Sequence, residues 1–129
     1  MCSFFKIFKC IYKELYSLPS EEFTTFYSLA TLTDLNNIVS INSIPLSIDQ
    51  IQNLLSYSRN KINTHINYLI KNELIVYTRL QSYDYNVIII NPYICLRNSS
   101  IPDSIIELFN DTKWQKLHNE SEETIWVYV

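Results

Sequence analysis

The stretch Ile44–Arg97, IPLSIDQIQNLLSYSRNKINTHINYLIKNELIVYTRLQSYDYNVIIINPYICLR, decides the fold. Ser47 stands where its hydroxyl can accept from a free N–H of a first helical turn. Gln50, three residues on, can reach back and complete a capping box. Ile48, Ile51, Leu54 and Leu55 then fall on one face at helical spacing. Ser56-Tyr57-Ser58 interrupts that pattern, and Ser58 can cap a second helix. There Ile62, Ile66, Leu69 and Ile70 form the apolar side. This helix is predicted to end at Lys71-Asn72, because Asn is second only to Gly where a chain turns left-handed after a helix. Leu74–Leu80 and Tyr85–Ile90 are rich in Ile, Val and Tyr and read as two strands, with the loop at 81–84.

Helix, tight turn, helix and hairpin, in that order, make a winged helix-turn-helix. Stepping about 100° per residue from Ile62 puts Asn60, Thr64, Asn67 and Lys71 on the outer face of the second helix, flanked by Lys61, Asn63 and Tyr68. Asn can bond adenine edges in pairs, and Lys can reach guanine or phosphate. With Ser58 and Arg59 at the helix start, these residues form the expected DNA-reading surface, and Arg79 lies on the wing beside Tyr83 and Tyr85. The competing reading is a solvated polar face on an Asn-rich chain.

The chain has 129 residues, 47% of them hydrophobic and 14% aromatic, which points to one packed domain rather than a disordered segment. Gly is absent while Asn, Ile and Tyr abound, a bias that indicates an AT-rich genome. The net charge is −3, unhelpful for nucleic-acid binding, but it is unevenly spread. Residues 1–97 carry eight basic and seven acidic side chains, for +1, and residues 98–129 carry two and six, for −4. Cys2, Cys10 and Cys95 lack CxxC spacing, which suits a reduced cytoplasm. His65 and His118 are far apart in sequence, so no metal motif is visible and no cofactor is expected. No apolar run is long enough to span a membrane.

Upstream, residues 4–18 read as an amphipathic helix. Phe4, Phe5, Phe8, Ile11, Tyr12 and Leu15 line one side, docked on the core or offered to a second copy. Ser20 with Glu21 and Glu22 starts a helix running to about Asp34, Asn36-Asn37 turns the chain, and residues 38–42 supply a short strand beside the wing. Downstream, residues 98–129 read as an acidic extension. It holds a helix over 102–117, an acidic patch at Glu120, Glu122 and Glu123, and an apolar end, Thr124–Val129, that packs as a strand or binds a partner. The expected fold is therefore α+β and mainly helical: a winged-helix core at 20–97 with an N-terminal helix and a C-terminal helix/strand extension.

The chain resembles the plasmid replication proteins of low-GC Gram-positive bacteria. The resemblance rests on Phe4-Phe5-Lys6-Ile7, on Ser58-Arg59 opening the second helix, and on the Leu69–Ile75 segment leading into the wing. Its most specific element is the strand exit Ile90-Asn91-Pro92 followed by Leu96-Arg97. It covers roughly residues 4–110. It implies a winged-helix initiator that binds duplex DNA. This chain departs from the family in having Asn72 and Asn98 where Gly is usual, and in its acidic tail.

No enzyme is expected. Rolling-circle nicking needs a His pair holding a metal beside a Tyr, and a phosphate loop needs Gly. The first functional reading is a cytoplasmic DNA-binding protein of a plasmid or phage, acting in replication initiation or transcription regulation. The second is a small mobile-element protein that uses the same fold to bind a host protein, such as an inhibitor of a host defence nuclease. Its support is the low positive charge and the aromatic surplus. A homodimer through the N-terminal helix or the C-terminal segment is compatible with either, and so is a scaffold without ligand.

Overall fold

The computed structural model describes residues 4–96, 101–118 and 124–128, with side chains described for 11–96 and 101–118. In chain order the elements are β1 (Phe4–Phe8), α1 (Lys9–Tyr16), α2 (Ser20–Thr31), β2 (Ser40–Ile41), β3 (Ile44–Pro45), α3 (Ile48–Leu55), α4 (Arg59–Lys71), β4 (Ile75–Thr78), β5 (Val87–Ile90), β6 (Cys95–Leu96), α5 (Asp103–Ile106), a 3-10 turn at Glu107–Phe109, α6 (Lys113–His118) and β7 (Thr124–Tyr128). The class is α+β, with small antiparallel sheets. Among the described residues no helix is long and apolar enough to cross a membrane.

The pattern that predicts α3 and α4 holds closely. Gln50 N–H donates to Ser47 Oγ at 3.2 Å and Ser47 N–H donates to Gln50 Oε1 at 2.9 Å, which is the capping box. Ser56 takes the left-handed conformation that closes α3. Ser58 Oγ accepts from Lys61 N–H at 3.1 Å and opens α4. Ile62, Ile66 and Leu69 are buried as expected, but Ile70 is 39% exposed, and the fourth buried residue of the helix is His65, which the apolar pattern does not include. The left-handed residue after α4 is Glu73, at φ 64°, not Asn72, at φ −93°. Asn72 instead donates from its side-chain amide to Tyr68 O at 2.9 Å, which caps a carbonyl of the last turn.

Strands β4 and β5 pair antiparallel, with Ile75 opposite Ile90 and Thr78 opposite Val87. The connection runs over residues 79–86, longer than the expected four-residue loop. On the other edge of β5 a single bridge joins Ile38 to Ile89, and Val39 N–H donates to Ile88 O at 2.9 Å; the strand expected over 38–42 is reduced beside the hairpin to this bridge, and Ser40–Ile41 pairs with Ile44–Pro45 instead. All four residues of β5 are fully buried. Ile88 and Ile90 face the main core with Ile11, Leu29, Ile62, Leu69 and Trp114. Val87 and Ile89 face a second cluster made with Ile38, Ile101, Ile105 and Phe109.

The flanks differ from their expected form. Residues 4–18 are not one helix: Phe4–Phe8 is the central strand of a three-stranded sheet ordered β6-β1-β7. Long-range pairing with Cys95–Leu96 and with Thr124–Tyr128 wins over a local pattern that also fits a helix. Both edges of β1 are thus used within the chain, and the apolar C-terminal end is a strand, β7. Helix α2 stops at Thr31, short of Asp34, because the Asp34 carboxylate accepts from Asn36 N–H at 2.8 Å and Ile38 N–H at 3.0 Å and so holds a turn. The expected helix over 102–117 breaks at Asn110–Thr112. Asp111 is left-handed there, and Thr112 Oγ1 restarts the chain by accepting from Gln115 N–H at 3.2 Å. Asn98, Glu120, Glu122 and Glu123 lie outside the described residues.

The C-terminal segment is part of the core rather than an appendage. Trp114 is 1% exposed, and its indole N–H donates to Asn72 O at 2.8 Å. Lys113 pairs with Glu14 of α1 at 3.2 Å. Phe109, also 1% exposed, covers the second face of β5. Phe109→Ala is expected to destabilise the fold by about 3–5 kcal/mol, the range for emptying a packed aromatic site. Urea denaturation followed by tryptophan fluorescence measures this, and a change within about 0.5 kcal/mol, as for a surface site, would mean that Phe109 is peripheral.

Candidate nucleic-acid interface

Helix α4 is amphipathic in the strict sense that one side is locked and the other is free. Its inner side buries Ile62, His65, Ile66 and Leu69. On the outer side Asn60, Asn63, Thr64, Asn67 and Lys71 are exposed, in the arrangement that the periodicity predicts. Thr64 Oγ1 donates back to Asn60 O at 2.8 Å, which leaves the oxygen lone pairs and the methyl group outward. Amide donors and acceptors, a hydroxyl and a cation thus share one ridge on a helix whose backbone cannot shift without disturbing the core.

Other predicted site residues are engaged. Ser58 spends its oxygen on the cap. Arg59 forms an ion pair with Asp49 of α3, with both side chains more than half exposed. Such a surface pair is worth about 0–1 kcal/mol, so a phosphate can replace Asp49 at small cost. Lys61 lies over the Tyr57 ring at 4.2 Å. Tyr68 is half-buried and packs against the main core rather than standing in the ridge. On the hairpin connection Arg79 Nε donates to Tyr83 O at 3.3 Å, and Tyr85 OH donates to Pro45 O at 2.8 Å. Tyr85 thereby ties the connection to the β2–β3 turn, and Arg79 remains exposed.

The structure also assembles a polar group that sequence spacing does not reveal. Thr25 of α2 is fully buried, and its Oγ1 lies 2.8 Å from Tyr57 OH and 2.7 Å from His65 Nδ1. His65 Nε2 faces Glu22 Oε1 at 3.6 Å. The Tyr57 ring meets the His65 ring edge-on at 5.6 Å. Residues about forty positions apart thereby brace α2 against α4. The only signal in the sequence is a His in the apolar register of α4. Thr, His and Glu in this order have the makings of an activated nucleophile, but Thr25 Oγ1 is sealed from solvent and from any substrate.

Thr25→Val removes the partner of both Tyr57 OH and His65 Nδ1 while keeping the side-chain shape. The expected cost is about 1–3 kcal/mol in denaturant melts, the range for a buried polar group left without its bond. A melt unchanged from the parent would show that the brace carries no stability. Comparison with protein-family models, with curated proteins and with solved structures finds no match to this chain.

Proposed function

We propose that the chain is a winged-helix DNA-binding protein of a plasmid or phage, acting in replication initiation or transcription regulation. In this reading α4 enters the major groove and the β4–β5 hairpin is the wing. The observation that carries it is the exposed ridge of Asn60, Asn63, Thr64, Asn67 and Lys71 on a helix held from behind by the core. Asn63 and Asn67 lie one turn apart and reach neighbouring base edges, while Lys71 and Arg59 at the two ends of α4 reach phosphates. Rigid mounting matters because base readout tolerates little positional error.

A second reading, binding of a host protein such as a defence nuclease, is favoured by one feature. Ile41, Ile44 and Leu54 are 41%, 62% and 49% exposed. They line a groove of about 370 Å³ with Leu46, Asn42 and Gln50. An apolar groove of this kind suits a side chain of a partner better than it suits a phosphate. N-terminal dimerisation draws less support, because Ile11 and Leu15 of α1 are buried in the chain's own core.

Fluorescence-anisotropy titrations against duplexes from the protein's own promoter, from a plasmid origin and of random sequence decide between the two. DNA reading predicts salt-sensitive binding. Asn67→Ala should weaken the preferred duplex by about 1–3 kcal/mol and random DNA hardly at all. Lys71→Ala should weaken all duplexes alike and lower the salt slope by about one. Binding to none of the duplexes at low salt, together with recovery of a host protein that Leu54→Asp abolishes, would replace the first reading by the second.

A further inference from the structure

We infer that Glu21, Glu22 and His65 form a binding site for a divalent transition metal, with Zn²⁺ the natural occupant by ligand chemistry. The inference is independent of the DNA reading, because these residues lie on the side of α4 away from the ridge.

Each of the three residues offers one ligand atom, and the three atoms lie within 4.8 Å of one another. The decisive group is His65. It is 3% exposed, and its Nε2 faces Glu22 Oε1. Their separation, 3.6 Å, exceeds the roughly 2.7–2.9 Å of a charged N–H···O bond. It is close to the edge of a tetrahedron with bonds near 2.05 Å, which is about 3.4 Å. Two atoms that are too far apart to bond each other are spaced to share an ion.

The surroundings accommodate the ligand form of the ring. Thr25 Oγ1 lies 2.7 Å from His65 Nδ1 and 2.8 Å from Tyr57 OH; with a metal on Nε2 the ring proton is on Nδ1 and is donated to Thr25 Oγ1, whose own hydroxyl can turn toward Tyr57 OH. A metal-bound imidazole is held by an acceptor on its second nitrogen in the same way. Tyr57 packs edge-on against the ring and prevents it from flipping. The two carboxylates supply the charge: Glu22 is partly buried, and Glu21 is exposed and reaches the ion by a change of rotamer. One imidazole and two carboxylates suit Zn²⁺ and its first-row neighbours better than Ca²⁺ or Mg²⁺. The remaining coordination position is open to water. Bound metal would fasten the first turn of α2 to the middle of α4.

The test uses the full chain, stripped with chelator and dialysed. Calorimetric titration with Zn²⁺ should give one ion per chain, and Zn²⁺ at about a hundred times Kd should raise Tm by roughly 5–10 °C. Glu22→Gln and Glu21→Gln change surface-accessible carboxylates and leave the core intact. Each should weaken Zn²⁺ at least tenfold without lowering the Tm of the metal-free protein by more than a few degrees. With Co²⁺ the visible bands should appear without the near-ultraviolet charge transfer that Cys ligation produces. No heat with Zn²⁺, equal affinity in either glutamine variant, or a thiolate band with Co²⁺ would each overturn the assignment.

Discussion

Val87, Ile88, Ile89 and Ile90 are removed from water on both faces of their strand, so chain must cover each face before the hairpin can persist. Full burial of four such side chains is worth roughly 6–12 kcal/mol as an upper figure, about the whole stability of a small domain. The helices α2 and α4 close one face, and Ile101, Ile105 and Phe109 close the other. The carboxyl-terminal segment therefore has a structural task that its acidic composition conceals. The polar ridge of α4 is steady because the inner face of α4 shares a core with this strand.

Asn37 adjusts the fit. Its side-chain amide donates to Ile90 O at 3.0 Å and Cys95 O at 2.8 Å, which pins the exit of β5 to the start of β6. Asn91 performs a similar service by donating from its amide to Glu73 O at 2.9 Å and accepting from Tyr93 N–H at 2.9 Å. These two amides hold the chain where Pro92 interrupts backbone pairing. They link the hairpin to the sheet built on β1, so the terminal strands, the hairpin and α4 share one framework.

The central unit was legible because its signals are local. Ser47 with Gln50, Ser58, and the spacing of Ile62, Ile66 and Leu69 each act within one or two helical turns. The failures are of two kinds: strands and contacts whose partners lie far away in sequence, and side-chain turns such as those at Asp34 and Thr112 that interrupt an otherwise helical pattern. Phe4–Phe8 is a strand only because residues near 95 and 126 pair with it. Thr25, Tyr57 and His65 meet across 40 positions, and spacing along the chain carries no trace of that meeting. Of the predicted interface, the exposed positions Asn60, Asn63, Thr64, Asn67 and Lys71 follow from periodicity. The engagement of Arg59 by Asp49 and of Lys61 by Tyr57 depends on how α3 is set against α4, which periodicity does not encode.

Asn37, Asn42, Ser43, Ser56, Glu73 and Asp111 all have positive φ, in a chain with no Gly to take such positions. Each side chain tolerates a crowded carbonyl at about 1–2 kcal/mol, with Asn and Asp at the low end because they bond locally. The absence of glycine thus leaves the molecule with a latent reserve of stability. Glu73 holds the largest single share, since its side chain lacks the short polar group with which Asn and Asp ease such a turn. The architecture persists under a biased alphabet because its large apolar strand outweighs several strained corners.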